Sequence, residues 1–325
     1  MHEPNVVIAG CGAITAVGCG VDALLAALRA NASGLRACAK FNSPRFQSNI
    51  VGAALGRDAL LRVQADRQVS PTRDSNVDDP AWQLATTALK EARGEAKSVL
   101  SSISPARTGL VLSTTKANIE ALERLADGRP CSDSARRHLQ GNLLADDLAS
   151  EHGARGPVQC VSTACVSGLI AIQQGTKMIR RGDADAVFVV GVDHLSAFVV
   201  AGFTALKAID PNGCRPFDSA RCGLSPGEAG AAIVLARENL APPSAIRIRG
   251  WGGSNDANHL TGPSRDGSGL AQAIRSALAA AKLSPAEIDY VNAHGTGTPY
   301  NDAMESLALK TIFGDSCPPF SGLKG

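Results

Sequence analysis

Residues 158–181 read Val158-Gln159-Cys160-Val161, then Ser162-Thr163-Ala164-Cys165-Val166, then Ser167-Gly168-Leu169-Ile170 and on to Arg180-Arg181. The first four form a short apolar strand. The next five, small and polar, make a turn. From Ser167 the spacing is helical, and the two arginines at the far end suit a helix C-terminus, with Gly182 as the stop. Ala184 to Val192, ADAVFVVGV, follows directly. It is apolar on both faces, as a central parallel strand must be. Strand, turn, helix and buried strand within 35 residues or so make an α/β protein.

The same alternation runs outward in both directions. Asn5 to Ala9 is a strand, followed by the glycine-rich turn Gly10-Cys11-Gly12, and Val21 to Ala30 is a helix. Residues 36–75 are irregular. Asp79-Pro80 opens a helix, with Asp as N-cap and Pro at the first helical position. Thr108 to Leu112 is a strand, Ala135 to His152 a helix closed by Gly153, and Ala231 to Ala236 a strand. After Pro242-Pro243 a second, shorter series begins. Ala245 to Arg249 and Ile288 to Ala293 are its strands; Leu270 to Lys282 and Asp302 to Phe313 are its helices. Ser284 and Glu287 have capping-box spacing. This order divides the chain into halves, 1–242 and 243–325.

Composition excludes several classes. The chain has 325 residues and a net charge of +2, so nothing argues for nucleic acid. No apolar run reaches membrane-spanning length, and Met1-His2-Glu3-Pro4 does not begin a secretion signal, which points to the cytoplasm. The nine cysteines form no CxxC and have no zinc-ligand spacing with histidine, so no metal site is expected. Most of them read as small buried hydrophobes. His138, His152 and His259 lie in polar stretches and read as solvated surface. Arg45, Arg57, Arg62 and Arg67 are a scattered basic series, a solvated face or a landing for an acidic partner.

Two residues carry chemistry. Cys165 sits where a helix begins, and the unsatisfied N–H groups of a helix N-terminus favour a thiolate and can meet an oxyanion. Spacing alone leaves it open between a nucleophile and a small gap-filling side chain. His294 ends the strand at 288–293 and precedes Gly295-Thr296-Gly297-Thr298-Pro299. A loop rich in Gly and Thr admits a ligand close to the backbone and offers hydroxyl donors. Spacing leaves His294 open between a hydrogen-bond donor to substrate and a histidine satisfied within a tight turn. Gly10-Cys11-Gly12 lacks the third glycine of a dinucleotide fingerprint.

Several motifs in order resemble the β-ketoacyl-acyl carrier protein synthases, condensing enzymes of the thiolase fold. They are Val7 to Thr15, Val161-Ser162-Thr163-Ala164-Cys165, Arg215-Pro216-Phe217-Asp218, Gly227-Glu228, Asn292 to Pro299, the acidic pair Asp302 and Glu305, and Ser321 with Lys324. The resemblance implies a five-layered α-β-α-β-α sandwich of two similar halves, the second incomplete here. It implies that Cys165 takes an acyl group, that His294 steadies an enolate, and that Thr296 and Thr298 hold a phosphopantetheine arm. Lys324, paired with Glu305, would tune the electrostatics. No resident cofactor is implied, because the acyl carrier protein brings its own phosphopantetheine. A homodimer, or a heterodimer with a related subunit, is the implied assembly.

The family continues past its lysine motif to a second histidine, whereas this sequence reaches only Gly325; the expectation is a C-terminally truncated synthase, inactive or poorly stable alone. Two other readings stand beside condensation. One is a non-catalytic partner like the chain-length factors, against which Cys165 counts. The other is an acyltransferase that loads Cys165 without condensing. The run Ser113-Thr114-Thr115-Lys116 is similar to one in specialised-pathway relatives, and fatty-acid, polyene and polyketide synthesis all remain open.

Overall fold

The computed structural model describes residues 4–54, 78–259 and 262–325. Arg57, Arg62 and Arg67 lie outside the described residues, and Arg45 is exposed. Among the described residues no helix is long and apolar enough to cross a membrane.

The chain runs β1 (Val6–Thr15), β2 (Gly18–Cys19), α1 (Val21–Arg29), β3 (Arg36–Ala37), β4 (Ile50–Val51), α2 (Pro80–Glu95), α3 (Lys97–Leu100) and β5 (Thr108–Ser113). Next come α4 (Ile119–Ala126), α5 (Asp133–Arg137), α6 (Gly141–Glu151), β6 (Val158–Val161), α7 (Ser167–Arg181), β7 (Ala186–Asp193), α8 (Ala197–Ala205) and β8 (Ala229–Arg237). The last elements are β9 (Ile246–Arg247), α9 (Ser268–Ala281), β10 (Val291–Asn292), α10 (Pro299–Phe313) and β11 (Phe320–Ser321). They group into two compact units that interleave in sequence. The first holds Met1–Gly34, Gly52–Phe198 and Gly227–Ile248; the second holds Leu35–Val51, Val199–Pro226 and Arg249–Gly325.

The first unit is built on a mixed sheet ordered β2-β1-β8-β7-β5-β6, with β9 also on β1. β7 is central as its sequence requires, but it is parallel only to β5 and antiparallel to β8. Its side chains alternate between two cores. Phe188, Val190 and Val192 join Leu84, Leu89, Leu144 and Leu148 of α2 and α6. Val187 and Val189 join Ala171, Met178 and Ile179 of α7. The parallel strands β6, β5 and β7 therefore end together, and their carboxyl ends carry Ser162, Thr114 and His194 onward into loops.

Several expectations are corrected. Gly10-Cys11-Gly12 is not a turn; it lies inside β1, beside a register shift between Ile8 and Gly10. The glycines are there because α2 presses its backbone onto the strand. A Cβ on Gly12 would lie 2.0 Å from the Ala88 carbonyl oxygen, and one on Gly10 2.3 Å from that of Ala92. The helix expected over 135–152 breaks at 138–140, and the helix that follows starts at Gly141, where a Cβ would lie 2.8 Å from Cys160 Sγ. The strand expected at 245–249 shrinks to β9 and pairs with β1. Asp79 does cap α2, its carboxylate accepting from the Trp82 N–H at 3.1 Å.

His138 and His152 are buried, not solvated; His259 is exposed. His138 is stacked on Trp82 and bonded on one side to Asp79 (2.5 Å) and on the other to Asp147 (3.0 Å). Burial works against its charge, yet the two carboxylates prevail and raise its pKa. The cysteines are also less buried than expected: of the nine, only Cys214 is fully enclosed.

The second unit contains two small sheets, antiparallel β3–β4 and parallel β10–β11, with α9 and α10 packed together. Its fixed point is the strand end at Asn292, where the histidine loop begins.

Candidate active site

In the first unit, the turn after β6 presents Cys165. Ala164 has φ 51°, a left-handed conformation that costs an L-residue roughly 1–2 kcal/mol. Ser167 holds it there. Its hydroxyl accepts from the Thr163 N–H at 2.8 Å and donates to the Ala164 carbonyl at 2.6 Å. The sharp bend throws Cys165 outward, and its thiol residue is exposed just ahead of α7. The helix behind it begins at Ser167, so the first N–H groups of α7 point back toward this turn. The arrangement offers an accessible sulfur beside backbone donors, which is what acyl transfer to a thiol requires. Sequence reasoning missed the part played by Ser167, although a serine two residues past a cysteine at a helix start is a readable turn signal.

In the second unit, His294, Thr296, Thr298, Asp302, Glu305 and Lys324 lie around one loop, with Lys324 on His294. Glu305 and Asp302 are buried one turn apart on α10 and anchor the loop by its backbone. Glu305 accepts from the His294 N–H (2.5 Å) and the Gly295 N–H (2.8 Å). Asp302 accepts from the Gly297 N–H (3.2 Å) and the Phe217 N–H (2.8 Å), with the Arg221 guanidinium 3.9 Å away. Gly295 and Gly297 have φ 48° and 72°. Side chains there would collide with Gly322 and with Cys214 Sγ, so both positions need glycine. The Thr296 and Thr298 hydroxyls are 2.8 Å apart.

Lys324 settles the histidine's chemistry. Its ammonium lies 2.9 Å from His294 Nδ1 and also donates to the His294 carbonyl oxygen. An ammonium only donates, so Nδ1 accepts and the ring proton is on Nε2. Burial, and then the Lys324 charge, push the imidazole below its ordinary pKa; Glu305 and Asp302 oppose this without reversing it. The result is a neutral imidazole with an Nε2–H donor, suited to a carbonyl oxygen that becomes an enolate.

Three supporting residues were not foreseen. Asn301 bridges the acidic pair, donating to Asp302 (3.2 Å) and Glu305 (3.1 Å). Cys214 sits with Sγ 3.2 Å from the Thr296 carbonyl oxygen, its thiol pKa pushed up chiefly by burial. Arg221 backs Asp302. Arg215-Pro216-Phe217-Asp218, one of the motifs that carry the resemblance, belongs to this scaffold through Phe217. Among the described residues no group of three or more His, Cys, Asp or Glu side chains is placed to hold a metal.

Comparison with known proteins agrees with this geometry. A family model described as β-ketoacyl synthase, N-terminal domain, matches residues 3–241, and its C-terminal domain counterpart matches 245–321. The tetracenomycin polyketide synthase ketoacyl synthase alpha subunit of Streptomyces glaucescens is 32% identical over 349 residues, covering 99% of this chain and 80% of that one. The 3-oxoacyl-(acyl-carrier-protein) synthase 2 of Vibrio cholerae serotype O1 is 31% identical over 333 residues, covering 97% and 79%. The solved structure of the ishigamide ketosynthase/chain length factor matches with a TM-score of 0.85 at 29% identity, covering 99% and 81%. The architecture is the thiolase-like α/β fold of the ketosynthases, and the chain belongs to the β-ketoacyl synthase family.

Proposed function

We propose that this protein carries out a decarboxylative Claisen condensation between an acyl thioester and a malonyl thioester, both delivered by an acyl carrier protein. The observation that carries the reading is the Lys324–His294 contact, which fixes a neutral Nε2–H donor beside a threonine-rich loop. The Cys165 thiol gives up its proton as its sulfur attacks the acyl carbonyl, the acyl–sulfur bond to the carrier breaks, and the carrier leaves as a thiol bearing that proton. The backbone N–H of Cys165 supports the oxyanion. Malonyl thioester then loses carbon dioxide, and the electrons of that C–C bond become an enolate steadied by His294 Nε2–H. The enolate carbon attacks the Cys165 thioester, a new C–C bond forms, and the thiolate is released. Thr296 and Thr298 hydroxyls are the donors for the carrier's phosphopantetheine arm. Lys324, Asp302 and Glu305 position the histidine loop.

A second subunit of the same fold is part of the reading. Among the described residues β6 is the outermost strand of its sheet, and Leu122, Leu125, Leu169 and Phe198 of the same unit are exposed, Leu169 by 70%. An open strand edge with apolar neighbours favours pairing. Ketosynthase/chain length factor pairs among the relatives support a heterodimer.

Intact-mass spectrometry after incubation with an acyl-carrier thioester tests the nucleophile. An acyl adduct present in the protein and missing from Cys165→Ala supports the proposal. An equal adduct on Cys165→Ala would sink it.

A further inference from the structure

His138 is buried, titratable and outside every role described above. It stands just past α5, where four helices of the first unit meet. The cap of α2 brings Asp79 to the ring, and α6 brings Asp147. Arg137, on α5, pairs with that same Asp147. From α4 comes the uncharged N-cap Asn118, whose N–H donates to the His138 carbonyl at 3.0 Å. Asp78, next to the cap, is occupied by Ser132, accepting from its N–H at 2.6 Å and its hydroxyl at 3.0 Å.

The hydrogen bonds decide where the protons are. Nδ1 lies 2.5 Å from Asp79 Oδ2, and Nε2 lies 3.0 Å from Asp147 Oδ2. Both carboxylates accept elsewhere too. Asp79 Oδ1 takes the Trp82 N–H at 3.1 Å, and Asp147 takes two guanidinium N–H groups of Arg137 at 2.7 and 3.1 Å. An ionised carboxylate only accepts, so each ring nitrogen has to donate, and an imidazole that donates twice is the cation. Charges then balance: His138 and Arg137 against Asp79 and Asp147. Trp82 stacks on the ring with centroids 5.1 Å apart, a contact that favours a cation.

We infer that His138 is a pH-sensitive clasp, its imidazolium tying α2 to α6, and that loss of the proton on the alkaline side loosens α5 and α6. A neutral ring donates from one nitrogen only. The lone pair on the other then faces a carboxylate in a site where His138 is 3% exposed and Asp79 fully enclosed, a repulsion that little water screens. Burial lowers the pKa of the ring, but the bonds and charges of Asp79 and then Asp147 outweigh it and raise the pKa above the ordinary value. The sign follows from that direction. The clasp contributes in full below the open-chain pKa of about 6.5, and its contribution is lost as pH rises through the folded pKa.

Nitrogen-15 NMR of the histidine side chains reads the proton, and amide hydrogen exchange over residues 133–151 reads the opening. The His138 titration midpoint is expected above about pH 6.5. Asp147→Asn, which removes one of the two carboxylates, should move it down. After correction for intrinsic exchange, opening of 133–151 should rise at least about threefold from about pH 7 to about pH 9.5, because linkage gives tenfold per unit of pKa difference. His138→Gln, folded by circular dichroism, cannot titrate and should flatten this rise. A midpoint at or below 6.5, a midpoint unmoved by Asp147→Asn, no rise in opening, or the same rise in His138→Gln would each overturn the clasp.

Discussion

Glu305→Gln should cost both stability and chemistry, and the structure sets the size of each loss. The carboxylate uses both oxygens as acceptors, one for the His294 N–H and one for the Gly295 N–H. An amide has one oxygen and one NH2 group, so one backbone donor must face another donor. A hydrogen bond to a charged group contributes about 1.5–3 kcal/mol, and a buried donor left without a partner costs a similar amount as its lost solvation. Asn301 can turn its own amide to relieve part of this, so we expect a net loss of about 2–3 kcal/mol. For a chain of this length that lowers the thermal midpoint by roughly 3–4 °C. The loop's displacement moves His294 Nε2, and misplacement on the order of 1 Å lowers a positioned reaction roughly a hundredfold. Differential scanning calorimetry and carbon dioxide release from malonyl-carrier read the two effects. A midpoint within 1 °C or so of the parent together with decarboxylation within about twofold would refute the argument that Glu305 holds this loop.

Lys324→Met removes the positive neighbour that helps hold the His294 pKa down, so that pKa rises toward its ordinary value. Decarboxylation, which needs the neutral ring, is then lost at a higher pH on the acid side than in the parent, and pH profiles of carbon dioxide release should show the shift. His152 is held neutral to about pH 4 by burial, assisted by Arg93 and Lys90. The unfolded chain takes up that proton from about pH 6.5 downward, so stability is full above 6.5 and falls between there and about 4, by up to about 3 kcal/mol. His152→Gln should flatten this dependence; urea midpoints between neutral and mildly acid pH that decline as in the parent would exclude His152 as its source. Gly12→Ala drives a Cβ to 2.0 Å from the Ala88 carbonyl oxygen, so α2 must lift off β1. A loss on the order of 3 kcal/mol is expected, visible as poor soluble yield or a strongly lowered melting midpoint.

Much of the molecule was legible because local chemistry and global fold agree. Asp79-Pro80 announces α2, Arg180-Arg181-Gly182 closes α7, and the apolar run at 184–192 has to be central. Cys165 and His294 stand out because a reactive side chain ends a strand in each case. What was hidden depends on residues far apart in sequence. Gly10 and Gly12 read as a turn until α2 is seen lying on them. His138 reads as surface because Asp79, 59 residues away, and Asp147 complete it only in the fold. The helix break at 138–140 precedes Gly141, whose need for a small residue comes from Cys160 across the fold. Asn301 finds its partners one and four residues on along α10, whereas Cys214 meets the Thr296 carbonyl, 82 residues away, only in the fold.

Condensation is the central claim, and its direct measurement is the fate of the malonyl carbons. Protein acylated on Cys165 is given malonyl-carrier labelled uniformly with carbon-13, and both the released gas and the carrier-bound product are weighed by mass spectrometry. The account expects one labelled carbon dioxide per product and a β-ketoacyl carrier bearing the acyl group plus two labelled carbons. Acyl transfer without labelled carbon dioxide, or without the two-carbon extension, would contradict it.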